Sequence, residues 1–148
     1  MDIKKTGYFK AICGFALLCQ LTAFGLEMLP DAVMLPFASG PNKWVTKTFS
    51  YFSLTPFGYA EYFPLLTGAL TFTVIVFSAI LLLKKNRDSK LRKTAFLCSI
   101  IAFILSAIPL FKYGTVYFSI LNYTISALML ISAVSLALAN RYTEKRRY

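Results

Sequence analysis

The 148-residue chain contains no histidine. That absence removes His-based catalytic triads, haem ligation by His and most zinc sites at once. Cysteine is scarce: Cys13, Cys19 and Cys98 are the only three. None belongs to a Cys-x-x-Cys pair, and none lies in the long connection between the first two apolar runs. Neither a redox motif nor a disulfide framework is available, and the three read as small buried hydrophobes. Gly-x-Ser-x-Gly, His-Glu-x-x-His and glycine-rich phosphate loops are missing too. Acids number six against 16 Lys and Arg. Charged residues of both signs reach 15%, where a soluble domain carries about 25%. These shortages argue against a conventional hydrolase or metalloenzyme. The expectation is a non-enzymatic protein without a cofactor or metal site.

What the chain has instead is apolar length. Residues 11–29, 64–83, 94–111 and 115–140 form four apolar runs, together one membrane domain. The first covers about 19 residues before Pro30, close to the roughly 20 that cross a hydrocarbon core. Its charged start and Ala23-Phe24-Gly25 also fit a signal peptide, but its length reads as a transmembrane helix. Between the second and third runs lies the basic segment 84–93, in which Lys84, Lys85, Arg87, Lys90, Arg92 and Lys93 are cationic. Two further clusters flank the first and last runs: Lys4, Lys5 and Lys10, then Arg141, Lys145, Arg146 and Arg147. Together the three clusters hold all but Lys43, Lys47 and Lys112 of the 16 cations. The positive-inside rule therefore places both termini and 84–93 in the cytoplasm of a multi-pass cell-membrane protein. Each cluster abuts an apolar run, so none forms a face that could track nucleic acid; anionic lipid is the expected partner there.

Residues 30–63 form the long outer connection. Pro30, Pro36, Pro41, Pro56, Gly40 and Gly58 forbid one continuous helix. Asn42 is placed to cap a short helix from Lys43 to about Leu54, with Val45, Phe49 and Phe52 on one face. The expectation is an amphipathic segment lying in the interface.

Lipid gives helices no hydrophobic reason to associate, so small and polar stripes mark their contacts. The first run offers Cys13, Ala16, Gln20, Ala23 and Glu27; the second Pro64, Thr67, Thr71, Val74 and Ser78. The third offers Ala95, Ser99, Ala102, Ser106 and Pro109, and the fourth Thr115, Ser119, Asn122, Ser126, Met129 and Ala133. Steps of four and three average 3.5 residues, the period of left-handed packing. The expected fold is an all-α integral membrane protein, an antiparallel four-transmembrane-helix bundle, with residues such as Phe96 turned to lipid. Pro109 is expected to bend or end the third helix.

The layout is similar to that of claudin-type tetraspan proteins. Their first outer loop carries a Trp-based motif and a cysteine pair, whereas this one has a lone Trp44 and no cysteine, so nothing further is carried over.

Two functional expectations follow. The leading one is association with another membrane protein or with a second copy. The alternative is a carrier or receptor for a small cationic or lipid-like molecule. Its outward pocket would use Glu27, Gln20 and Asn122, with Glu61 and Tyr62 at the rim, because acids inside membranes usually face a bundle interior. The competing structural role places Glu27 at the interface, paired with Lys112 or Lys43 or solvated, with Gln20 and Asn122 as ordinary interhelical hydrogen-bond partners.

Overall fold

A computed structural model describes the backbone of residues 3–40, 43–58, 61–83 and 89–144. Helix α1 (Ile3–Glu27) leads into strands β1 (Val33–Gly40) and β2 (Lys43–Phe49), then the five-residue helix α2 (Leu54–Gly58). Helices α3 (Phe63–Leu83) and α4 (Ser89–Tyr113) follow, then a 3-10 turn at Thr115–Tyr117 and helix α5 (Ile120–Glu144). The chain is mostly helical, and each long helix holds a stretch apolar enough to cross a membrane: Gly7–Glu27, Phe63–Leu83, Ser89–Tyr113 and Ile120–Arg141. Lys84, Lys85, Arg87, the 145–147 cations and the Asn42 cap lie outside the described residues. Of the expected basic segment, Lys90 to Lys93 already belong to α4.

The helix ends differ from expectation in ways the backbone explains. Helix α4 does not stop or break at Pro109 but continues to Tyr113. It ends where Gly114 adopts φ 82°, a left-handed conformation that glycine enters without the Cβ clash. Thr115, expected in the fourth helix, lies in the 3-10 turn, and α5 begins only at Ile120.

Helix α1 packs on α3 and α5, and α4 packs on the same two helices. The faces that meet are the small and polar stripes. Cys13, Ala16, Gln20, Ala23 and Glu27 are buried on α1, and Thr67, Thr71, Val74 and Ser78 on α3. Ala95, Ser99, Ala102 and Ser106 are buried on α4, and Asn122, Ser126, Met129 and Ala133 on α5. Large apolar side chains point away from these seams: Leu18, Leu66, Phe72, Leu97, Ile101 and Val134 are all exposed. Phe96 does not join them. It is partly buried against the cluster of Ala16, Val74, Leu81, Ala95 and Leu136.

The connection 33–49 is a β-hairpin, so the expected amphipathic helix from Lys43 is incorrect. β1 pairs antiparallel with β2 from Val33 opposite Phe49 to Gly40 opposite Lys43. β2 reads Lys-Trp-Val-Thr-Lys-Thr-Phe, and its β-branched and aromatic residues favour an extended backbone. Pro36 is tolerated because a two-stranded sheet has only edge strands. Val33, Leu35 and Tyr51 anchor the hairpin by packing with Ala102, Ile125 and Met129 of α4 and α5. β2 is left outside: every residue from Lys43 to Thr48 is exposed.

Candidate functional site

Helix α1 sets Gln20 and Glu27 seven residues apart, hence on one face. Both are fully buried, but they meet different partners. Gln20 Nε2 donates to Ser99 Oγ at 3.2 Å. This bond joins α1 to α4, two helices whose main packing partners are α3 and α5. Glu27 Oε1 lies 2.8 Å from Thr71 Oγ1 on α3, and its backbone carbonyl accepts the Tyr51 N–H at 3.0 Å. Asn122 reaches the same loop from α5: its Oδ1 accepts the Tyr51 hydroxyl at 2.6 Å. Tyr51 thus clasps Glu27 with its backbone and Asn122 with its ring. Burial holds its phenol above the usual tyrosine range, and any charge on Glu27 pushes it further the same way. It therefore stays a donor. Among the described residues, Gln20 Oε1, Glu27 Oε2 and Asn122 Nδ2 have no hydrogen-bond partner.

Glu61 belongs elsewhere. Its carboxylate accepts from Lys112 Nζ at 2.5 Å and from the Tyr113 hydroxyl. Lys112 also sits 5.1 Å from the Tyr113 ring centroid. Rings around a carboxylate suit an organic cation, but here an internal ammonium already holds that place. Tyr62 is 48% exposed. The five candidates therefore divide: Glu27 and Asn122 share Tyr51, Gln20 bonds Ser99, and Glu61 and Tyr62 stand apart. The Glu27–Lys112 pairing does not form, since Lys112 is taken by Glu61, and Glu27 has no ion pair among the described residues.

An apolar groove of about 550 Å³ lies between α4 and α5, lined by Phe103, Ile104, Ala107, Ile108, Leu110, Phe111, Lys112, Phe118, Tyr123 and Ser126. None of the five candidates lines it. Among the described residues no three His, Cys, Asp or Glu side chains gather as metal ligands. Cys13 and Cys19 are buried and Cys98 half-buried, all as free thiols.

Three contacts were not legible beforehand. Tyr51 hid among the many aromatics of its loop. Thr71 stood in the α3 stripe, with nothing to single it out as the neighbour of Glu27. Arg92 belonged to a cluster expected to meet lipid, yet it is 3% exposed and donates from Nε to Asn140 Oδ1 at 2.6 Å. The only signal was spacing: Arg92 continues the Ala95–Ser99 stripe one turn back. Comparison with protein-family models, with curated proteins and with solved structures finds no match.

Proposed function

We propose that this chain is a non-enzymatic membrane protein that works by association, presenting its β-hairpin to another membrane protein or to a second copy. In this reading the four helices form an antiparallel bundle across the cell membrane. The termini and the 84–88 connection face the cytoplasm, and the hairpin faces outward. The cation distribution supports that orientation. Contacts support the antiparallel order: Arg92 bonds Asn140 while Ser106 lies 2.9 Å from Ser126, so positions rise on α4 as they fall on α5.

The observation that carries the proposal is the contrast between buried, bonded stripe residues and an uncovered strand. Stripe residues close the helix seams, and Gln20, Glu27 and Asn122 spend side-chain bonds on neighbouring elements. Among the described residues β2, in contrast, pairs only with β1, and it leaves Trp44 68% exposed. A free strand edge offers backbone N–H and C=O groups to a partner strand, with Trp44 and Val45 to set its side-chain fit. The carrier or receptor reading has less support, since Lys112 occupies Glu61 and Glu27 is enclosed.

A photoreactive aromatic at position 44 tests this in native membranes. It should cross-link to one defined protein or to a second copy. Thr46 stands opposite Pro36, so its N–H faces the free edge, and Thr46→Pro should abolish that product without lowering the melting temperature. Cross-linking no more specific than from position 97, on the exposed face of α4, would defeat the proposal.

A further inference from the structure

Glu27 raises a question of protons that the association reading leaves untouched. It is 0% exposed at the end of the first membrane stretch, and no cation pairs with it among the described residues. Thr71 Oγ1 lies 2.8 Å from Glu27 Oε1 and 3.0 Å from the carbonyl of Thr67. A threonine hydroxyl carries one proton, and a backbone carbonyl only accepts. If that proton closes the bond to Thr67, the contact with Glu27 needs a second proton. The Thr67 hydroxyl cannot supply it, being committed to the Phe63 carbonyl at 2.7 Å. The carboxyl is the remaining source.

We propose that Glu27 is a buried proton-binding site, held as a neutral carboxylic acid that donates to Thr71 Oγ1 while Thr71 donates to Thr67. The chain of two bonds also accounts for Glu27 Oε2, which has no partner among the described residues. In the neutral acid this atom is a carbonyl oxygen, far cheaper to leave unpaired than an anion. The groups facing the carboxyl bear this out. Thr67 and Thr71 on α3 do not titrate, and Tyr51 is a buried phenol whose own proton goes to Asn122. Lys112, the cation at the hairpin end of α4, is paired with Glu61. Glu27 is also unlike the other five acids, Asp2, Asp31, Glu61, Asp88 and Glu144, none of which lies within a membrane stretch.

Two readouts test it on the full chain in lipid vesicles at neutral pH. Infrared spectroscopy should show the C=O stretch of one protonated carboxyl, lost in Glu27→Gln and moved to higher frequency in Thr71→Val, where the acceptor is gone. Dicyclohexylcarbodiimide should label the same residue. The acid protonates a carbodiimide nitrogen, its oxygen bonds to the central carbon, and acyl migration to nitrogen leaves a stable N-acylurea with no leaving group. The adduct should map to Glu27 and be absent from Glu27→Gln. Wild-type and Glu27→Gln spectra that superimpose in the acid C=O region would show an ionised Glu27 and overturn the proposal. So would wild-type labelling no greater than that of the variant. Should Glu27→Gln fail to fold, carbon-13 glutamate in the wild type identifies the band, and its absence there is equally decisive.

Discussion

Ser99 is small because Gln20 reaches it through the interior, and its hydroxyl takes the amide proton. Ser99→Leu removes that acceptor and forces extra volume between buried neighbours, a combination expected to cost about 1–3 kcal/mol. Leu97→Ala, on a side chain 56% exposed, should be nearly silent. Thermal melts in detergent decide this, and equal losses would mean that the seam is on another face. Tyr51→Phe strips the one partner that the Asn122 side chain has among the described residues, and leaving a buried amide unsatisfied costs about 1–3 kcal/mol. Its pH signature has a definite sign. Because burial raises the Tyr51 phenol in the folded state, its contribution is complete below the ordinary tyrosine value of about 10 and is lost as pH climbs above it. Tyr51→Phe should therefore flatten part of the alkaline loss of stability, and an unchanged alkaline profile would contradict the clasp. Among charges, Glu61→Gln and Lys112→Gln should couple by about 0.2–1 kcal/mol in a double-mutant cycle, the range for a partly exposed pair. Glu27→Gln and Lys112→Gln should be additive.

At the scale of elements, the helices and the hairpin differ in how plainly the residues announce them. Helical faces were legible because the stripes recur at 3.5 residues and depend only on residue size. Ala95, Ser99, Ala102, Ser106 and Pro109 were all placed on one seam, and all five are buried. The hairpin was misread because Val45, Phe49 and Phe52 can be joined at helical spacing, while β2 has no hydrophobic alternation to contradict it. A strand with its residues 43–48 all exposed has no buried face to impose a period of two. One packing detail at the hairpin base makes a sharp prediction. A Cβ at Gly68 would stand 2.8 Å from the Phe52 ring, which is itself held edge-on against Phe24 at 5.3 Å between centroids. Gly68→Ala must displace that ring and should lower the melting temperature. The double variant Gly68→Ala with Phe52→Leu should recover part of the loss; no recovery would place the strain elsewhere.

For the whole molecule, the orientation proposal predicts opposite labelling of two exposed sites. In a chain with Cys13, Cys19 and Cys98 changed to Ala, an impermeant thiol reagent on intact cells should modify Thr46→Cys and not Lys90→Cys. The reverse pattern would invert the topology. That four helices should cross a membrane, and which stripe of each turns inward, was determined by the sequence alone, because both depend on local length, polarity and side-chain size. Which polar residue meets which was decided only by tertiary structure. Gln20 and Glu27 share a face of α1, yet one bonds α4 and the other meets α3, since seven residues of helical rise, about 10 Å, separate them along the axis. Glu61 took Lys112 because α4 runs past Pro109 to Tyr113 and brings that ammonium to it. Partners of this kind are set by how far each helix extends and where it crosses its neighbours, and no short window of residues contains that information.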